Sequence, residues 1–165
     1  QYKLGYPNYE VAEAFSQHLL ADYLDSNANQ LRIALLSDLN HALSTQDVAR
    51  FIQLFQSLFA SIPYTLFLEE EAYYHSVVYL VLRLLNFQID PEKLTNVGRI
   101  DAVLELDDVI YILEFKMSTA DIALQQMRDK GYAQAYQGSG KPIMLVGIAF
   151  DKAKRNITDW KSERA

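Results

Sequence analysis

The sequence predicts an α/β sandwich with a small mixed sheet, preceded by an N-terminal helical bundle. Three observations carry this. Apolar residues recur at helical spacing through the first half of the chain. After Asn86 the period shifts to two, with alternating runs over 99–106 and 109–117. A helical segment then separates that hairpin from an apolar run at 142–150, the order of a helix crossing between two strands.

The elements follow in order. Val11, Ala14, Phe15, Leu19 and Leu20 predict a helix from Glu10 to Leu24, and the pattern repeats from Leu31 to Leu43. A third helix is expected over Gln46–Ala60, capped by Ser44 or Thr45 and ended by Pro63. Glu69–Leu85 is a fourth, rich in aromatics and leucine. Phe87–Asp90 reads as a short strand before Pro91. Ser118 or Thr119 caps a helix over Ala120–Lys130, which Gly131-Tyr132 interrupts before a short helix to Gln137. Pro142–Phe150 lacks alternation and fits a strand buried on both faces. Residues 155–160 are expected to add an edge strand. The division expected is a helical linker or bundle over 1–65 and an α/β domain over 66–165.

Composition narrows the class. The chain has 165 residues, half of them hydrophobic, enough for one core of ordinary size. It has no cysteine, which excludes disulfides and thiolate metal sites and points to a reducing, cytoplasmic setting. No apolar run reaches the roughly 18–20 residues of a membrane span, and no signal peptide is visible. Gln1 rather than Met opens the chain, as expected of a piece of a longer protein. The net charge of −6 argues against a general nucleic-acid binder, yet the acidic excess falls entirely in the first 95 residues. Lys141, Lys152, Lys154, Arg155, Lys161 and Arg164 come late and are either a phosphate-facing cluster or a solvated surface.

The hairpin carries the chemistry. Asp107-Asp108 is a turn-type dipeptide, so a two-residue connection pairs Leu106 with Val109. Opposed residues then have numbers summing to 215, and Asp101 stands opposite Glu114. Their Cβ atoms are expected roughly 4.5–5.5 Å apart, where two like charges repel. Lys116 shares their face. A hard cation such as Mg²⁺ between the carboxylates turns that repulsion into a site. With the lysine alongside, it is an arrangement suited to metal-assisted phosphodiester cleavage. The bland reading is an exposed polar face with a Lys116 salt bridge. Val103 and Ile112 on the same face speak against full exposure.

Other residues join by position. Glu71 heads the fourth helix, either as a third acid of the site or as an acid favoured by the helix dipole. His75, four residues on, offers acid–base chemistry or a hydrogen-bonded place at the core edge. Gln126 and Lys130 share one helix face that can look over the site, with Gln125 as the alternative. Tyr132 and Tyr136 either stack on a base or pack. His18, His41 and His75 lack zinc-like spacing.

These residues resemble the PD-(D/E)xK nuclease superfamily, which sets an acid on one strand and Glu-x-Lys on the next. Glu71-Ala72-Tyr73-Tyr74-His75, Gly98-Arg99-Ile100-Asp101, Ile112-Leu113-Glu114-Phe115-Lys116, Ala123-Leu124-Gln125-Gln126 and Lys130-Gly131-Tyr132-Ala133 look like the C-terminal nuclease-like domain of bacterial AAA-ATPase-like proteins of uncharacterised function. Tyr2 to Val11 resembles the segment joining that domain to the ATPase-like part. Ile100 stands where the superfamily often has proline. The resemblance implies a restriction-endonuclease-like sandwich. It implies Asp101, Glu114, Lys116 and Gln126 as catalytic residues, and Glu71, Asp101, Glu114 and the Phe115 carbonyl as holders of Mg²⁺ or Mn²⁺. The implied partners are nucleic acid, DNA ahead of RNA, and an upstream ATPase-like domain of the same full-length chain, with no membrane. The alternative is a nuclease-fold module without turnover that regulates or partners the ATPase-like part.

Overall fold

The computed structural model describes residues 29–62, 71–84, 87, 89–96 and 98–165. The helix expected over Glu10–Leu24, the joining segment at Tyr2–Val11 and Pro63 lie outside them. The described helices are α1 (Asn29–Ser44), α2 (Val48–Ser61), α3 (Glu71–Leu84) and α4 (Ala120–Asp129), followed by a 3-10 helix at Tyr132–Ser139. The strands are β1 (Ile89–Leu94), β2 (Arg99–Glu105), β3 (Ile110–Lys116), β4 (Ile143–Asp151) and β5 (Asn156–Arg164). They form one mixed sheet in the order β1-β2-β3-β4-β5. Only β3 and β4 run parallel, and α4 with the 3-10 helix makes the crossover between them.

Residues Asp38–Ala165 form one compact unit. That unit begins within α1. α2 belongs with the sheet because its amphipathic face is buried there. Phe51, Ile52, Phe55 and Phe59 are all within 2 % of complete burial. The Gln56 side chain donates to the Ile157 carbonyl at 3.0 Å, and Asn156 donates back to the Gln56 carbonyl at 3.0 Å.

Several local expectations shift by a few residues for identifiable reasons. Asp47, not Ser44 or Thr45, caps α2, accepting the Arg50 N–H at 2.9 Å. The Thr45 hydroxyl is spent on the His41 carbonyl behind it. β1 continues through Pro91, which an edge strand tolerates because one side of its backbone faces no neighbour. β5 extends to Arg164, well past residue 160, as a charged outer strand of the kind that discourages edge-to-edge pairing.

Both faces of the sheet are covered. On one face Val103, Ile110, Ile112 and Leu145 pack with Leu124 and Met127 of α4 and with Tyr132 and Tyr136. On the other, Phe150 meets Phe59 and Tyr74, and Phe115 meets Phe150 and His75. The hairpin face carrying Asp101 and Glu114 is therefore an interior surface, since α4 and the 3-10 helix close over it. Among the described residues no helix is long and apolar enough to cross a membrane.

Candidate functional site

The hairpin register is the expected one. Ala102 pairs with Leu113, Val103 with Ile112 and Leu104 with Tyr111. The Leu106 N–H closes the Asp107-Asp108 turn on the Val109 carbonyl at 2.9 Å. One step beyond the Ala102–Leu113 pair, the ladder gives way to a side chain. Asp101 Oδ2 accepts the Phe115 backbone N–H at 2.9 Å. The first acid is thus tied to the strand that carries the second.

Glu114 is 1 % exposed and is the one buried charged side chain among the described residues. Its Oε1 accepts from Lys116 Nζ at 2.7 Å and also from the Gln126 side-chain amide, a very close contact. Its Oε2 is buried with no hydrogen-bond donor. Burial pushes the Glu114 carboxyl up to about 7, and the Asp101 charge adds to the rise; the Lys116 hydrogen bond opposes it. A buried acceptor oxygen left bare costs about 1–3 kcal/mol, so in a folded protein it calls for a proton or a cation.

α4 comes close enough to deliver Gln126 because β4 carries a glycine there. Gly147 stands opposite Glu114 in the parallel ladder. A Cβ on Gly147 would lie 2.6 Å from the Ala120 carbonyl oxygen and 3.0 Å from Ala123 Cβ. The start of α4 is fixed twice. Thr119 caps it, and Asp159 of β5 accepts the Ala120 N–H at 2.9 Å. Gly147 escaped the sequence reading, although a glycine inside an apolar strand is a recognised sign of close backbone approach.

The remaining residues divide. Glu71 sits in the first turn of α3, with its Oε1 3.5 Å from His75 Nε2. The His75 ring packs on Phe115 at 4.7 Å, and burial lowers its pKa against the opposing pull of Asp101 and Glu71. Among the described residues no three His, Asp or Glu side chains converge as a cage; Glu71 and Asp101 both act on His75, from α3 and from β2. Gln125 turns outward to Asp129 and Arg128, leaving Gln126 as the helix residue that reaches Glu114. Lys130 lies one turn further on, away from that carboxylate. Tyr132 and Tyr136 pack in the core, with the Tyr132 hydroxyl on the Arg99 carbonyl at 2.8 Å.

The late basic residues do not form one patch. Lys141 precedes β4 and Lys152 follows it, roughly 30 Å apart along a nine-residue strand. Lys141 is engaged by the Leu106 carbonyl and Glu105, and Lys161 by Asp121.

The hairpin acid Asp101, Glu114-Phe115-Lys116 on the adjacent central strand and Gln126 from the crossover helix are thus brought together. The chain belongs to the PD-(D/E)XK nuclease superfamily, whose family model matches residues 69–160. It is also 34% identical to an uncharacterized protein in the vnfD 5'region of Azotobacter chroococcum mcd 1. That match takes in 99% of this chain and 33% of the relative, so the chain spans about a third of the relative's length.

Proposed function

We propose that this domain is a divalent-metal-dependent nuclease that hydrolyses phosphodiester bonds, with DNA as its substrate ahead of RNA. The observation that carries the reading is the bare Oε2 of buried Glu114 beside the Asp101 carboxylate. The donor set fits a hard cation. It is all oxygen, and Mg²⁺ or Mn²⁺ commonly takes one or two carboxylates and keeps several waters. Asp101 and Glu114 would hold the ion, with the Phe115 carbonyl and Glu71 as further donors. When bound, such an ion activates water and offsets charge on the phosphate.

The chain's own groups do the rest. Gln126 and Lys116 both donate to Glu114 Oε1, which fixes the carboxylate plane and leaves Oε2 for the ion. Lys116, about one-fifth exposed, reaches from the interior to the surface. Its ammonium can orient the attacking water and stabilise charge developing on the phosphate. Asp101, held by the Phe115 N–H, cannot swing away when the site is empty of substrate.

The test is incubation with duplex DNA, single-stranded DNA and RNA in Mg²⁺ or Mn²⁺. Cleavage that chelation stops, that Asp101→Ala abolishes and that Lys116→Ala lowers by about 10²–10³-fold, is expected. Wild-type protein that cuts none of these substrates overturns the reading. A second reading keeps the fold and the acids without turnover, as a module partnering an AAA-ATPase-like portion of a longer protein. The net charge of −6 and the threefold length of the relative favour it.

A further inference from the structure

Two polar depressions of similar size flank β1. One, about 260 Å³, is lined by Arg83, Asp90, Lys93 and Glu105, and its charges are matched internally: Lys93 pairs with Asp90 at 2.9 Å. The other, about 250 Å³, lies between the β1–β2 turn and the end of α4. Its walls are Thr95 and Asn96 on one side and Lys130, Gly131, Tyr132 and Gln134 on the other. Among the described residues lining it there is one cation, Lys130, and no carboxylate.

Its construction is specific. Gly131 takes φ 60°, the left-handed region, and its missing side chain makes room for the Gln134 amide, which lies 2.9 Å from where a Cβ would stand. The turn opposite is closed by Thr95, whose hydroxyl bonds both the Gly98 N–H and the Gly98 carbonyl. Lys130 and the Tyr132 hydroxyl approach Gly98. The wall therefore offers an ammonium and two carboxamides on a fixed frame.

Two paths place this depression beside the acids. Gly98 is three residues before Asp101 on an extended strand, about 10 Å. Lys130 is one helical turn beyond Gln126, about 6 Å along the axis, and Gln126 touches Glu114. Tyr132, which lines the depression, also donates to the Arg99 carbonyl of β2 at 2.8 Å. Successive phosphates of one DNA strand advance about 3.4 Å along the duplex axis, so the depression falls within about three nucleotides of a phosphate seated at the acids.

We propose that this depression is a phosphate-binding subsite for duplex DNA. Lys130 holds a backbone phosphate a few nucleotides from the scissile one, and Asn96 and Gln134 donate amide hydrogens to the same group. The identity of the polymer rests on the nuclease reading above; the subsite itself rests on its cationic, carboxylate-free wall.

The experiment is fluorescence anisotropy of a labelled DNA duplex against salt concentration, with Ca²⁺ in place of Mg²⁺. Lys130→Gln is expected to weaken binding roughly 5–10-fold at ~0.1 M salt and to reduce the slope of log K against log salt by about 0.9, one phosphate's share. Lys130→Arg should keep the wild-type slope, and Lys141→Gln should not change it. An unchanged slope in Lys130→Gln, a lost slope in Lys130→Arg, or no DNA binding by the wild type overturns the subsite. Cleavage is read separately in Mg²⁺. Salt-dependent binding through Lys130 without cleavage keeps the subsite and sinks the nuclease. Cleavage with an unchanged Lys130→Gln slope does the reverse.

Discussion

Asp101 binds the backbone N–H of Phe115 through its carboxylate at 2.9 Å, which ties the acid of β2 to the residue between Glu114 and Lys116. One hydrogen bond thus sets the spacing of the site's three charged groups. It also engages one of the two Asp101 carboxylate oxygens.

Replacing Lys116 separates catalysis from architecture. Lys116→Ala removes the ammonium 2.7 Å from Glu114 and should lower the rate of metal-dependent cleavage by about 10²–10³-fold, the usual cost of losing one preorganised charge donor. The chain should remain folded, since Lys116 lies at the sheet's rim. Single-turnover cleavage alongside circular dichroism checks both halves.

Stability should depend on pH through Glu114. Its carboxyl titrates at about 7 in the folded chain, above its ordinary 4.5. Between those values the folded state keeps a proton that the unfolded state has released. The stabilisation is complete below about pH 4.5 and is lost as pH rises through about 7, an effect on the order of 3 kcal/mol. Urea unfolding of wild type and Glu114→Gln across pH 5–8 should show the slope in the first and a flatter profile in the second.

Metal binding should run the other way with pH. The ion needs the charged form of Glu114, so Mn²⁺ affinity should rise from about pH 6 to pH 8 with release of a proton. Gln126→Ala withdraws a donor from that charged form, raises the Glu114 pKa further and moves the binding curve to higher pH. Calorimetry in buffers of different ionisation enthalpy counts the proton.

Gly147→Ala should damage the site from behind. The added methyl meets the Ala120 carbonyl and Ala123, and α4 must shift outward. The expected cost is about 1–3 kcal/mol, with a lower melting temperature. Because α4 carries Gln126, metal affinity should fall together with stability.

The hairpin was legible because a two-residue turn leaves no freedom of register, and that register brings Asp101 to the Glu114-Phe115 stretch of β3. Gln126 was legible only alongside Gln125; the phase of α4 against the sheet, which turns Gln125 to Asp129 and Arg128, separates the two. The burial of Glu114 was not. It depends on α4 and the 3-10 helix closing over the sheet, contacts between residues far apart in the chain. The reach of β5 was hidden for a related reason. Asp159, Lys161 and Glu163 look like a loop until each finds its partner: Asp159 on the Ala120 N–H, Lys161 with Asp121 and Glu163 with Arg128. Glu71 was placed by the resemblance alone; helix phase could not say how far α3 stands from the hairpin acids.

The central claim is that Glu114 Oε2 and the Asp101 carboxylate share a divalent ion. A crystal soaked in Mn²⁺ and measured at the manganese absorption edge tests this most directly. The account predicts an anomalous peak about 2.1 Å from Glu114 Oε2 and from one Asp101 oxygen, with the Lys116 ammonium beside it. Saturating Mn²⁺ with no peak between these two carboxylates would contradict it.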